Sequence, residues 1–364
     1  MTTTTTSAVT RLSRGTRPSM HRYYDIPCES RDGRRIVYFE FDGPIPGPGA
    51  VVVAARDGSD AREIGRCEGA CVGHVGAHAT WLGDDTVWFI TDEHFGGASR
   101  FVNVRDGSTR DTTGRIRAYH EGTGFAALTV SDRAAGDDEF SKRRRMRVDR
   151  LDVSTNQSKT LVTVEQATAA HPKRDAIDPA RMNFMNTKWS PDGKTLSIVF
   201  TDQIYAKAHG CARTVKCLIL VEADGSNVRF LTEFGHHPMW APDGSLILAH
   251  HGRDGGGQDL VAHPVDGAPA RVMIERFVGV HTSLDRDMRR AVTDAFDFEE
   301  KGHGAVLLYD LASGERKVLH AGPHAPHDHE TGTHIHPQWS RDGTRVLFNM
   351  ADSGIPQLYD VVVG

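Results

Sequence analysis

The sequence predicts an all-β chain, a seven-bladed β-propeller of four-stranded antiparallel blades. Three observations carry that expectation. An aromatic-x-x-Asp turn recurs along the chain, a strand–turn–strand element falls between its copies, and the last copy is one strand short.

The turn is clearest as Trp189-Ser-Pro-Asp192, Trp240-Ala-Pro-Asp243 and Trp339-Ser-Arg-Asp342, each followed by Gly, and as Trp81-Leu-Gly-Asp84. Weaker copies are Leu284-Asp-Arg-Asp287, Thr129-Val-Ser-Asp132 and Glu29-Ser-Arg-Asp32. An Asp-Gly step reverses the chain tightly, and an alternating run such as Thr195 to Phe200 follows it as a strand. The second element starts at Val51, Phe101, Arg150, Leu218, Leu260 and Val306. Its final copy starts at Leu358 and stops before a fourth strand. Val9 to Ser13 is the expected partner, so that the first and last segments share a blade and no sheet edge stays open. A β-helix would need shorter repeats, and separate sandwiches would need linkers, of which none is visible. Residues 1–7, a threonine run, read as a disordered tail, and residues 8–364 as one propeller domain.

Composition narrows the function. A net charge of −5 with histidines neutral argues against a nucleic-acid binder. The N-terminus lacks the apolar core of a secretory signal, and no stretch has the length of a membrane span, so a cytoplasmic protein without a membrane partner is expected. The five cysteines, odd in number and scattered, suggest no disulfide framework, and Cys67 and Cys71 read as small buried hydrophobes. The unusual count is 20 histidines, which matter if they converge.

Counting back three residues from each anchor aromatic gives His78, Asn186, His237, His281 and His336, with Ile26 and Ala126 in the other two repeats. Equivalent positions in a pseudo-sevenfold fold face one axis, so these side chains are expected at one channel mouth. His334 lies two residues before His336 and projects from the same strand face. A histidine at a strand start is often a structural hydrogen-bonding group, and repeats also copy residues for packing. Burying four imidazoles is costly unless they are paired or bind something, which favours a functional ring. His281, His334 and His336 form a three-imidazole set for a divalent ion, with a coordination position open for a substrate oxygen. Imidazole suits Mn, Fe, Ni, Cu and Zn, so the ligands alone do not choose the ion. Nearby His324, His327, Asp328, His329 and Glu330 read either as a solvated loop or as a second metal site, and Lys142 to Arg145 as a solvated loop.

Several blocks resemble oligogalacturonate lyases, polysaccharide lyase family 22. VTRLSRGTRPSMHRYYDIPCESRDGRRIVYFEFDG is similar to their opening blade, THIHPQWSRDGTRVLFNMADSGIPQLYDVVV to their closing blade, and EADGSNVRFL with HHPMWAPDG to their central blades. The repeat pattern alone is shared with many TolB-like propellers. The His-x-His-Pro and His-Arg-Tyr-Tyr blocks are more specific. The resemblance implies cleavage of a short uronic-acid-containing oligosaccharide by β-elimination, with manganese as the expected ion. It implies His281, His334 and His336 as metal ligands and His237 as catalytic base. Arg213, with Lys216 as the fallback, would assist the base, and Arg22, His78, Asn186 and His236 would contact substrate. Thr331 stands where the family pattern has a ligand Gln, a departure that bears on the coordination.

The chemistry fits these residue types. Removing the proton α to a carboxylate builds negative charge, which a cation on the carboxylate offsets. A histidine titrates near working pH, and a nearby arginine keeps it neutral and basic. Arg22 reads as a bidentate carboxylate clamp or as a surface ion pair. Two other readings stay open: a non-catalytic TolB-like binding platform, and an epimerase or hydrolase using the same metal. No Gly-x-Ser-x-Gly elbow or appended α/β domain supports a peptidase.

Overall fold

A computed structural model describes residues 8–92, 98–131, 146–234, 236–325 and 331–364. The threonine tail, Asp132, the Lys142 to Arg145 run, His327, Asp328, His329, Glu330 and the His236 side chain lie outside the described parts.

Seven four-stranded antiparallel sheets follow one another along the chain, and the fold is a seven-bladed β-propeller. Blade 1 comprises Ser19–Met20, Arg35–Phe41, Gly47–Ala55 and Arg62–Cys71, and blade 2 Thr80–Trp81, Thr86–Ile90, Ala98–Asn103 and Thr109–Thr113. Blade 3 comprises Arg115–His120, Phe125–Ser131, Met146–Asp152 and Gln157–Thr163, and blade 4 Asn183–Trp189, Thr195–Thr201, Lys216–Glu222 and Arg229–Glu233. Blade 5 comprises His236–Trp240, Leu246–Gly252, Gln258–Pro264 and Arg271–Ile274, and blade 6 Ser283–Leu284, Arg290–Ala295, His303–Asp310 and Arg316–Pro323. Blade 7 takes Gln338–Trp339, Arg345–Met350 and Gln357–Val362 from the C-terminal end and Val9–Arg11 from the N-terminal end. The closing pair runs in the register Val9↔Val361, Thr10↔Asp360 and Arg11↔Tyr359, as the incomplete last repeat requires.

The chain divides into two compact units, Met1–Thr113 with Val278–Gly364 and Gly114–Phe277. The first holds blades 1, 2, 6 and 7, and the second blades 3, 4 and 5. Inside each unit the second strand of a blade is buried on both faces, so it reads as a nearly continuous apolar run. In Thr195–Thr201 and Arg345–Met350 every residue but the first is buried. Neighbouring blades share one core: Leu12, Ile36 and Tyr38 with Leu347 and Leu358 in the first unit, and Val148 and Leu161 with Leu196, Ile198 and Phe200 in the second.

The turn motif has a physical reason. The serine hydroxyls of Ser30, Ser190 and Ser340 donate to the aspartates two residues on, at 2.6, 2.7 and 2.7 Å. The same hydroxyls accept the backbone N–H of Arg35, Thr195 and Arg345, which fixes the start of the next strand. The anchor tryptophan then ties consecutive blades. The indole N–H donates to a carbonyl of the preceding blade's first segment: Trp81 to Cys28 at 2.8 Å, Trp240 to Lys188 at 3.1 Å and Trp339 to Ser283 at 3.3 Å.

The turn aspartates set an acid limit. Asp32 and Asp192 are held below the usual carboxylate range first by their serine hydroxyls, Asp243 first by the Ser245 N–H, and Asp342 first by Arg56. The folded state therefore gives up these protons more readily than the unfolded chain. Their stabilisation is complete above the unfolded value of about 4 and is lost as pH falls through the lower folded values. Thermal melts are expected to show the melting temperature dropping below about pH 4, with a shallower acid limb in a variant carrying D32N, D192N, D243N and D342N. Equal acid limbs in the two proteins would contradict this account.

Two features correct the sequence expectation. Blade 3 turns at Glu121 to Gly124, after Arg115–His120, so Thr129-Val-Ser-Asp132 is not its anchor, and Ala126 lies on the second strand. Tyr119 keeps the aromatic, but Gly122 stands where the other turns have aspartate, so the first strand of this blade lies one strand before the expected one. The other difference is two short α-helices among the described residues, Val164–Ala170 and Gln203–His209. The first opens on a capping box, with the Thr163 side chain accepting from the Gln166 N–H and the Gln166 side chain accepting from the Thr163 N–H.

Candidate metal centre

In the first unit the segment before Gln338–Trp339 delivers two imidazoles side by side. Ile335 between them is fully buried in a core with Val292, Val306 and Phe348. His334 and His336 flank that anchor, both buried, with their ring centroids 5.3 Å apart. Asn349 holds the segment, with its N–H donating to the Ile335 carbonyl at 2.8 Å and its amide donating to the His334 carbonyl at 3.0 Å.

The ring tautomers follow from the partners. His336 Nδ1 lies 3.2 Å from the Arg22 carbonyl, which can only accept, so Nδ1 carries the proton. Its Nε2 is then a bare lone pair, buried and without a partner among the described residues. Burial, then the neighbouring imidazoles of His281, His74, His334 and His21, push His336 well below the ordinary histidine range, so the ring is neutral. His281 Nδ1 faces Asp294 Oδ2 at 2.8 Å, which likewise directs its Nε2 lone pair away from the carboxylate. Asp294, fully buried on Arg290–Ala295, also accepts the His281 N–H at 2.9 Å and the His336 N–H at 3.1 Å. One carboxylate thus orients two of the candidate ligands.

His74, from the connection between Cys71 and Thr80, completes the cluster. Its Nδ1 lies 3.0 Å from His334 Nδ1, and the ligand nitrogens of His74, His334 and His336 lie within 4.8 Å of one another. Ring centroids separate His281 from His336 by 4.3 Å and His281 from His334 by 5.4 Å. The His-Arg-Tyr-Tyr block packs against this cluster. Tyr23 sits edge-on to His336 at 4.8 Å and to His74 at 5.3 Å, and Tyr24 lies 5.3 Å from His281. Arg22 is buried rather than on the surface and donates to the Thr80 hydroxyl. His21 accepts from the Gln338 amide at 2.8 Å and is lowered to about 3, chiefly by burial.

Four of the five repeat-equivalent polar positions, all but His281, share a backbone state. His78, Asn186, His237 and His336 have φ of +57°, +42°, +48° and +49°, a left-handed conformation that costs a non-glycine residue roughly 1 kcal/mol. Such outliers concentrate where a side chain must be aimed. His78 is fully buried in the first unit. In the second unit the Asn186 side chain accepts from Arg117 at 2.7 Å, and the His237 ring lies 6.1 Å from His250. Arg213 is exposed. Lys216 packs 5.5 Å over the Phe234 ring and is lowered to about 7 by burial and then by Arg213.

Sequence reading missed His74 and Asp294. His74 lies outside the repeat register, four residues before His78, so counting back from the anchors passes over it. Asp294 sits in an otherwise apolar strand, AVTDA, where only the burial of a lone carboxylate marks it. His324 stands apart from the cluster, its ring 5.3 Å from Phe296, which in turn lies 5.4 Å from His334.

No protein-family model matches the chain, and no curated protein matches it. Among solved structures, an oligogalacturonate lyase in complex with manganese is similar with a TM-score of 0.71 at 17% identity, covering 100% of this chain and 96% of that one. The oligogalacturonate lyase of Vibrio parahaemolyticus has a TM-score of 0.70 at 15% identity, with the same coverage. The tricorn protease reaches 0.56 at 11% identity, with this chain spanning 34% of its length. At these identities the likeness establishes a shared fold.

Proposed function

We propose that the chain is a metal-dependent lyase that cleaves a short uronic-acid-containing oligosaccharide by β-elimination. The observation that carries this reading is the His336 ring, buried and neutral, with its tautomer set by the Arg22 carbonyl and its Nε2 lone pair unused among the described residues. Desolvating such a group is costly unless a ligand engages it. His281, His334 and His336 would hold the ion, whose positive charge would offset the charge building on a uronate carboxylate as the neighbouring proton leaves. Asp294 at the His281 Nδ1 and the Arg22 carbonyl at the His336 Nδ1 would leave both Nε2 lone pairs for the ion, while Asp294 also fixes the His336 backbone N–H. The likeness in fold to two oligogalacturonate lyases supports the substrate class. His237 is the proposed base and Arg213 or Lys216 the assisting cation, roles that the sequence resemblance implies and that suit these residue types. Manganese, the ion named with one of those structures, is the starting expectation for the metal.

The test uses tag-free protein beside a His334→Ala/His336→Ala variant. About one divalent ion per chain is expected in the first and none in the second. Oligouronides should yield an unsaturated product, seen by its near-ultraviolet absorbance, only with the ion-loaded protein. His237→Ala should keep its ion and lose turnover. Turnover without an unsaturated product would replace the lyase by a hydrolase or epimerase, and absence of any ion would leave a binding platform.

A further inference from the structure

We infer that the ion is held by four imidazoles, with His74 as the fourth ligand, and that this set selects zinc, cobalt or nickel over manganese. The inference rests on the proposal above only for the presence of an ion, not for the reaction.

The geometry comes first. The six separations among the rings of His74, His281, His334 and His336 are 4.3, 4.3, 5.0, 5.3, 5.4 and 6.3 Å. Four imidazoles around one ion, each bonded at about 2.1 Å, place their ring centroids roughly 5 Å apart. The 3.0 Å contact between the Nδ1 atoms of His74 and His334 is also close to an edge of such a coordination shell, roughly 3.0–3.4 Å. Two neutral imidazoles at that distance share a single proton, and an ion replacing it would engage both lone pairs.

The donor type then decides the metal. Asp294 is the carboxylate of this cluster, yet three N–H groups already occupy its two oxygens, so it positions the rings. Among the described residues the grouped metal-binding side chains are imidazoles alone. Manganese is a hard ion that favours carboxylate, carbonyl and water oxygens, and it stands lowest in the affinity order for nitrogen sites. Cobalt, nickel and zinc suit imidazole and bind more tightly at the same ligands. Because His74 comes from the connection between Cys71 and Thr80, outside the repeat register, it is a ligand that can be changed without touching His281, His334 or His336.

The experiment strips the tag-free full chain with a chelator and dialyses it against equal concentrations of manganese, cobalt, nickel and zinc. Elemental analysis is run on the wild type, His74→Ala and His74→Gln, and thermal melts confirm that each variant is folded. The wild type is expected to retain about one ion per chain, with manganese below roughly a tenth of the total. His74→Ala should lower zinc affinity by at least about tenfold and change the visible spectrum of the cobalt-loaded protein. His74→Gln, which supplies an amide oxygen, should narrow the zinc-to-manganese preference. A wild type that selects manganese, or a His74→Ala protein with unchanged affinity and cobalt spectrum, overturns the inference. A His74-dependent ion without any unsaturated product would defeat the lyase reading and leave this one standing. Manganese-dependent elimination indifferent to His74 would do the reverse, and no ion in any protein would remove both.

Discussion

Asp294→Asn is expected to lower divalent-ion affinity by about 10–100-fold while leaving the fold in place. The wild-type carboxylate only accepts, and it takes three donors: His281 N–H, His281 Nδ1–H and His336 N–H. An asparagine keeps one acceptor oxygen and turns an NH2 group toward the rest. His281 then meets a donor at Nδ1, so its proton moves to Nε2, the nitrogen that would otherwise bind the ion. The lesion is a tautomer rather than a missing ligand. Asp294→Ala is harsher, because three buried donors lose their acceptor at a cost of roughly 2–5 kcal/mol. Titration calorimetry with the ion and denaturant melts separate the two variants. Wild-type affinity in Asp294→Asn would show that the carboxylate does not set the ring.

The closure of blade 7 carries the second large effect. Leu12 is 1% exposed and packs with Cys28, Ile36, Tyr38, Leu347 and Leu358. Its N–H donates to the Leu358 carbonyl at 2.8 Å, and the Ser13 hydroxyl donates to the Gln357 side chain at 2.5 Å. Leu12→Ala should destabilise the protein by about 2–5 kcal/mol, read from denaturant melts. Removing residues 1–13 should do more, since Gln357–Val362 becomes an unpaired edge open to other chains. Size-exclusion chromatography of the truncated protein should show aggregates. A monomer with wild-type melting would mean that the N-terminal strand is dispensable.

The fold was legible because its signal is repeated. A turn that uses serine and aspartate side chains to fix both ends of a hairpin leaves those residue types at fixed spacing, and Trp189, Trp240 and Trp339 mark three copies plainly. Blade 3 is hidden because its turn has Gly122 at the aspartate position, so a better-matching aspartate one strand later mimics the motif. The helices were hidden for a related reason: Thr163 and Gln166 form a local capping signal inside a chain read by its strand period. The site divides the same way. His334 and His336 were visible as alternate residues of one segment, and His281 by repeat position. His74 and Asp294 join them through tertiary contacts that no spacing encodes.

The left-handed backbone at His78, Asn186, His237 and His336 sets chain durability against chemical capacity. Glycine adopts that conformation without steric cost, so at each of these four sites a glycine would relax the backbone and erase a polar side chain at once. Drift toward a more robust chain, or an engineer optimising heat tolerance from backbone geometry alone, would be drawn to these same four positions. The polar residues that stand there mark where durability has been forgone.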